Sequence, residues 1–538
     1  MKKILFILST CIATLSHAQN MEISWSPNIE YDRMTTGDLS KFAGANEKYV
    51  YGLFSPTYKK MANNSRTLIV YDKISMKPVG KLNLTSSADF KDICVTNDAI
   101  YVLSIDDSKG KEVLYAQTYT PTLEVIAAKK KIYQINTNSS AASRFYNSIK
   151  TMVNSKANSN LYIVAEKPNT KNEQVQIEYN VVDKDLNTLS AAQIELPVVS
   201  VRNTAATLSS FTVGDDGMIL SKNYIKTDRE TRKEEKLFSY AILSVINPEK
   251  QTINSLPIKA TGKHINDFEY FSRDGKLYVA GIYSENQGKL SERGNGVFFS
   301  VLNTVSGELE NTKFSEINGA KVRFGLLYLE KIKQNTDGSI TLFATEDQNI
   351  VITTQTKNGT TTRYENIKGN ILVANLHKDG SLNWKNVVPR SITYDQLYVR
   401  DIQVMLSEEN SYLTYADRFR SGKKNFFNRR SKKEMRDLLP YCQFNTASGS
   451  MQTQNFKLNK ENTEKNDRRF MNAANLTEIN NVLYLDGFQV HIKPGVAALG
   501  CVTAPLCGFG CGYWYIKLNN GSAVDGGGSL GSIRLNEK

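Results

Sequence analysis

The sequence predicts an all-β fold, a single β-propeller of seven or eight four-stranded blades carrying loop insertions. Short β-branched and aromatic runs recur down the chain, as in Ile100-Tyr101-Val102-Leu103-Ser104, Leu161-Tyr162-Ile163-Val164-Ala165, Leu277-Tyr278-Val279-Ala280-Gly281 and Val482-Leu483-Tyr484-Leu485-Asp486. Polar turns separate such runs, among them Asp216-Gly217, Asp274-Gly275, Asp337-Gly338 and Asp379-Gly380. Tyr is abundant at 27 residues and Pro scarce at 12, which suits long sheets with few breakers.

Taken in order, the units fall at 41–84, with strands over 49–54 and 67–72, then at 90–135 and 146–197. The fourth covers 208–257, where 238–246 reads as one strand, and the fifth 264–317, with Gly296–Leu302 as a buried strand. The sixth is longer, 323–389, and is followed by 394–458 and 470–518. The spacing of about 50 residues matches four-stranded blades with insertions. Asp-Gly suits a type I′ hairpin, in which both central residues take positive φ, so these aspartates are expected to form turns rather than to act as acids. Ring closure is assigned to Glu22-Ile23-Ser24-Trp25, which alternates apolar and polar ahead of the first unit and is predicted to pair into the last blade. Two separate β-sandwiches are the competing architecture. They would need a linker, and no Pro/Gly/Ser-rich stretch divides the chain near its middle.

The stretch Gly369-Asn370-Ile371-Leu372-Val373-Ala374-Asn375-Leu376-His377-Lys378-Asp379-Gly380-Ser381-Leu382-Asn383-Trp384 resembles the strand–turn–strand part of repeats in secreted bacterial β-propellers of the Bacteroidota type, in which an apolar strand runs into a D-G-x-x-x-W turn. The resemblance covers one blade-like segment and implies a fold, with no activity attached. It also touches the Asp-box of sialidase-type propellers, but that motif needs a residue between Asp and Gly, and Asp379 and Gly380 are adjacent.

Residues 1–18 read as a signal peptide. Lys2 and Lys3 start it, an apolar core follows, and Ser16-His17-Ala18 resembles a cleavage site. The core is too short to cross a bilayer, which takes about 20 residues. A lipoprotein reading centred on Cys11 competes, against an apolar stretch that continues past Cys11 and a Thr10 poorly suited to precede an acylated cysteine. Removing the leader lowers the formal charge from +13 to +11, still basic enough to favour anionic partners. For a chain exported to the periplasm or the outer membrane, or secreted, those are anionic lipid, acidic glycan or an envelope protein complex, and not nucleic acid. The oligomeric state is not readable from the sequence.

The strongest local signal lies at about 418–436. Arg418, Arg420, Lys423, Lys424, Arg429, Arg430, Lys432, Lys433 and Arg436 stand against Glu434 alone, interleaved with Phe419, Phe426 and Phe427. Such a block repels itself inside a blade, so it is expected on an exposed loop. Arg forks bind phosphate or carboxylate, and Phe inserts into lipid or packs on a partner, so this insertion is the candidate binding segment, weighed against a solvated insertion with no partner.

A second insertion, at about 494–512, carries Cys501, Cys507 and Cys511 among glycines. In an oxidising compartment a disulfide within the trio would brace a small loop, with the pairing open and one thiol left over. The competing zinc site with His491 has an unusual ligand spacing. No metal or other cofactor is expected. The uncharged stretch from Gly495 to Ile516 is too rich in Gly for a transmembrane span, and Tyr513-Trp514-Tyr515-Ile516-Lys517-Leu518 reads as a strand of the last blade. Residues 521–538 read as a flexible Gly-rich tail, so the propeller is bounded at 19–520.

No catalytic residues are assigned. His264 and His377 read as exposed polar residues, and Gly526-Gly527-Gly528 lacks the Lys of a phosphate loop. The leading expectation is therefore a non-enzymatic interaction platform at the cell envelope. The alternative is a propeller hydrolase of polysaccharide or peptide using clustered carboxylates, for which no sequence pattern selects a pair.

Overall fold

The computed structural model describes residues 21–27, 38–55, 66–84, 89–108, 111–136, 149–154, 158–167, 174–199, 211–226, 239–258, 262–273, 276–285, 294–303, 309–317, 326–356, 359–390, 392–393, 402–415, 438–459, 469–489, 491–492, 524–525 and 528–535. These residues contain strands and turns and no helix, and the strands form eight four-stranded antiparallel blades in a ring. The blade pattern therefore extends well beyond the one segment that carries the resemblance.

Blade 1 comprises Asp38–Ala45, Tyr49–Ser55, Arg66–Asp72 and Pro78–Leu84, and blade 2 Asp89–Val95, Ile100–Ser108, Lys111–Tyr119 and Val125–Asn136. Blade 3 comprises Ile149–Val153, Leu161–Glu166, Gln174–Val182 and Thr188–Val199, and blade 4 Phe211–Val213, Ile219–Lys226, Ser239–Asn247 and Thr252–Ile258. Blade 5 takes His264–Arg273, Lys276–Ser284, Gly296–Leu302 and Leu309–Glu316. Blade 6 takes Leu326–Gln334, Ile340–Thr356, Gly359–Leu376 and Leu382–Val388, with Ile392–Thr393 paired to its third strand. Blade 7 has Gln403–Leu406, Asn410–Thr414, Leu438–Asn445 and Met451–Lys457, and blade 8 Arg469–Ile479, Val482–Gln489, Gly528–Leu535 and Met21–Trp25.

Burial follows from stacking. A blade has a neighbour on each face, so a strand in its middle is apolar on both sides: Leu161–Glu166 is buried throughout. The outermost Pro78–Leu84 is exposed at alternate residues instead. The apolar side chains form eight clusters, each shared by two consecutive blades, the last joining blade 8 to blade 1. Tyrosines bridge these layers. Tyr101 donates its phenol to the Ser159 carbonyl of the next blade at 2.6 Å, and Tyr51 does the same to Pro121 at 3.2 Å. An apolar ring with a polar tip suits such a layer, which accounts for much of the tyrosine content.

Closure works as the sequence suggests. Met21–Trp25 pairs antiparallel with Gly528–Leu535, from Met21 opposite Leu535 to Trp25 opposite Gly531. The expected tail is corrected by the same contact. Leu530 and Ile533 are fully buried, Leu530 in the layer facing blade 1 and Ile533 in the layer facing blade 7. Gly531 has a packing reason, since the Trp25 ring occupies the space a Cβ would need there, as it does at Gly487. The third strand of blade 8 is thus Gly528–Leu535, while Tyr513–Leu518, expected to supply a strand of that blade, lies outside the described residues.

The Asp-Gly turns also differ from expectation. Gly217, Gly338 and Gly380 have φ of 78°, 82° and 86°, but the aspartates before them do not enter the positive-φ region. Each is a wider turn closed by the glycine, as in Gly217 N–H to Gly214 O at 3.0 Å and Gly380 N–H to His377 O at 2.8 Å. The aspartates do form the turns: Asp337 Oδ1 accepts from the Ser339 amide at 2.8 Å and from its hydroxyl at 2.6 Å. Asp274-Gly275 lies outside the described residues.

Candidate functional site

Strand direction sorts every connection onto one of two faces. First-to-second and third-to-fourth connections emerge on one, called here the turn face. Second-to-third connections and blade-to-blade links emerge on the other, the insertion face. On the turn face the described connections are short and bonded locally. Asp72 Oδ1 accepts the amides of Ile74 and Ser75 and the Ser75 hydroxyl, which holds its carboxyl below the usual carboxylate range. Asn46 Oδ1 likewise accepts the amides of Lys48 and Tyr49.

The insertion face differs, most of all in three consecutive blades. In blade 6 the second and third strands run past the sheet as a hairpin, from Gln348 opposite Ile367 to Thr356 opposite Gly359. In blade 7 the connection runs from Asn410–Thr414 to Leu438–Asn445, so residues 418–436 lie within it. In blade 8 it runs from Val482–Gln489 to Gly528–Leu535, so residues 494–512 lie within it, and its root is a further pairing of His491–Ile492 with Val524–Asp525.

The candidate side chains Arg418, Arg420, Lys423, Lys424, Phe426, Phe427, Arg429, Arg430, Lys432 and Lys433, and the thiols Cys501, Cys507 and Cys511, all lie outside the described residues. Cys94 and Cys442 are buried and free. Burial pushes the Cys94 thiol up to about 12, leaving it a packing residue. His377 sits exposed in its turn, and His264 is half-buried at the start of blade 5.

Around the axis the first strands share a signal that composition did not reveal. Leu39-Ser40-Lys41-Phe42, Phe90-Lys91-Asp92-Ile93, Ile265-Asn266-Asp267-Phe268 and Leu329-Glu330-Lys331-Ile332 each carry a β-bulge between their first and third residues. A bulge re-aims the side chains beside it, and the third residue of each quartet joins an ion pair with another strand. Lys41 meets Asp92 of the next blade at 2.5 Å. Asp267 accepts from Lys222 of the preceding blade at 2.9 Å and from the Leu329 amide of the following one at 3.2 Å. Lys331 reaches Glu478 of blade 8 at 2.7 Å, with Lys333 at 3.6 Å.

Glu478 is held by its surroundings. Burial alone would raise its pKa, but Lys331 and Lys333 override that and keep it below the ordinary glutamate range. Its backbone amide donates to Gln403 Oε1 of blade 7 at 2.6 Å. Glu269 behaves oppositely. Burial raises its pKa, Lys222 opposes this, and Asp267 two residues away adds to the rise. Lys222 itself is raised: burial works against its charge, and Asp267 and Glu269 prevail. Among the described residues no group of three or more His, Cys, Asp or Glu is placed to hold a metal ion, and no helix is long and apolar enough to cross a membrane.

No family model matches the chain, and no curated protein matches it in sequence. Solved structures similar to it include the WD40 domain of SCAP from fission yeast, 8% identical with a TM-score of 0.38 over 97% of this chain and 99% of that one. The polysaccharide lyase Uly1 is 9% identical, with a TM-score of 0.37 over 84% and 93%. The β-propeller domain of the Trilobed protease from Pyrococcus furiosus is 11% identical, with a TM-score of 0.34 over 79% and 96%. These are distant likenesses of fold, and the chemistry in their names stays with them.

Proposed function

We propose that this chain is an exported, non-enzymatic propeller that serves as an interaction platform or accessory subunit at the cell envelope, with the insertion face of blades 6 to 8 as its contact surface. The observation that carries this reading is the clustering of its unusual connections. The blade 6 hairpin, the basic-aromatic segment and the Cys/Gly-rich segment are second-to-third connections of neighbouring blades, so they leave the ring on one face. The scaffold supplies rigidity and the connections supply contacts. The partner chemistry is anionic, a lipid headgroup, an acidic glycan or an acidic protein surface, because nine Lys and Arg stand against Glu434 in residues 418–436. Each basic residue near an anionic membrane contributes about 1 kcal/mol, enough together for recruitment. The export leader 1–18 and a disulfide among Cys501, Cys507 and Cys511 belong to the same reading.

The test is binding of the mature protein to anionic vesicles and to detergent-solubilised envelopes. It is compared with a variant in which Lys423, Lys424, Arg429, Arg430, Lys432 and Lys433 become Ser. Retention of a defined anionic ligand by the native protein, with loss in the variant, is the expected result. Equal retention, or none by either, overturns the assignment of the segment.

A second reading, hydrolysis, draws on one geometric fact: Asp267 and Glu269 share Lys222, at 2.9 and 3.4 Å, and form a carboxylate pair beside the axis. Turnover of a polysaccharide or peptide by the native protein, abolished in Glu269→Gln, would establish it over the platform.

A further inference from the structure

The hairpin of blade 6 is the longest two-stranded extension among the described residues. Its second strand pairs with the first strand only as far as Leu326 opposite Asp347, and the outermost strand stops at Ile371 opposite Val388. From Gln348 to Thr356 the strand has a single neighbour among the described residues, its own hairpin partner. Nine residues at roughly 3.4 Å each make an arm about 30 Å long. It stands clear of the ring on both sides: Val351 is 55% exposed, and Thr353, Thr354, Gln355, Thr360 and Thr362 are exposed. A two-stranded ribbon alone in water is marginal, and stability comes with a third or fourth strand.

The edge itself is unprotected. Outermost strands of the blades carry the charges or prolines that block edge-to-edge pairing, for example Pro78 and Lys81, Lys129 to Lys131, Glu195 and Pro197, Pro257, Lys313, Lys385 and Lys457. Gln348-Asn349-Ile350-Val351-Ile352-Thr353-Thr354-Gln355-Thr356 has no charge, proline or glycine, and its ladder shows no register shift. It is also self-complementary. Turned antiparallel about Ile352, a second copy would place Val351 opposite Thr353, Ile350 opposite Thr354 and Asn349 opposite Gln355. Like residues meet only at Ile352, no charges face each other, and β-branched pairs of this kind are favourable across strands.

We propose that this arm pairs with the same arm of a second copy of the chain, joining two ribbons into a four-stranded sheet across a two-fold axis. The pairing is isologous, so it closes at a dimer. It does not rest on the basic segment, whose substitution to Ser leaves it intact.

The test is the mass of the mature full-length protein by light scattering and sedimentation equilibrium over a range of concentrations. A concentration-dependent dimer is expected. The double variant Val351→Lys with Thr353→Lys sets lysines against lysines and weakens self-association at least about tenfold, with an unchanged melting curve showing that the ring is intact. Mixing it with the Val351→Glu, Thr353→Glu variant restores a one-to-one dimer, since each lysine then faces a glutamate. A native protein that stays monomeric throughout, a lysine variant that still dimerises, or a mixture that fails to associate overturns the proposal.

Discussion

The two faces of this ring are made from the same blades by opposite means. On the turn face, connections are short and closed by their own chemistry: Asp337 and Asp379 each accept the amide two residues on, and Gly338 and Gly380 take the positive φ that lets the strand return. On the insertion face, blades 6, 7 and 8 extend instead, and most of the chain's excess positive charge falls within one of those extensions. The contrast teaches where this fold tolerates change. A strand pair needs a tight return on only one of its ends, so the other end is open to length and charge at little cost to the layers.

If so, changes to the framework and the turn face should unfold the protein, and changes to the insertion face should not. The largest effect is expected from Ile533→Asp. It places an unpaired charge in the layer between blades 7 and 8 and should cost upwards of about 4 kcal/mol, read by chemical denaturation. Native-like stability there would return the segment to a tail. Gly380→Val comes next, at about 2–3 kcal/mol, because φ is +86° and the Phe299 ring occupies the space its Cβ would need. A change of under about 0.5 kcal/mol would show that the turn face is as tolerant as its opposite.

Glu478→Gln should cost about 1–3 kcal/mol by leaving Lys331 and Lys333 without their carboxylate. It also has a pH signature. The folded pKa of Glu478 is depressed, so its stabilisation is complete above the unfolded value of about 4.3 and is lost as pH falls through the lower folded value. The difference in stability between native and Glu478→Gln proteins should therefore shrink below about pH 4.3, and a constant difference would show that the ion pair is not its source. The smallest effect belongs to the sixfold Ser variant of residues 423–433, within about 0.5 kcal/mol of native in urea while anion binding is lost. A large loss of stability there would break the comparison, since the segment would then belong to the framework.

Much of the fold was legible because strand signals are local. The 49–54 and 67–72 runs are the second and third strands of blade 1, and Gly296–Leu302 is the third of blade 5. The closing strand was legible too, since Ile23 and Trp25 alternate with polar residues. The last strand was not. Gly528, Gly531 and their neighbours have the composition of a flexible tail, and the need for glycine at Gly531 comes from the Trp25 ring, more than five hundred residues away in the chain. The axial ion pairs were missed for a related reason. The quartets around Lys41, Asp92, Asp267 and Lys331 repeat in sequence, and aligning the blade starts would have found them. Their signs vary without a pattern that names partners, so Lys331 could not be joined to Glu478 from sequence.

The sequence by itself determined the fold class, the blade repeat and the closing strand. Each of these is written in periodicity or turn residues within a few tens of residues. The tertiary structure decided the number of blades, the burial of the final strand, the axial charge partners and the face on which the second and third strands of each blade are joined. Those depend on strand direction and on contacts between residues far apart in the chain, which no local pattern encodes.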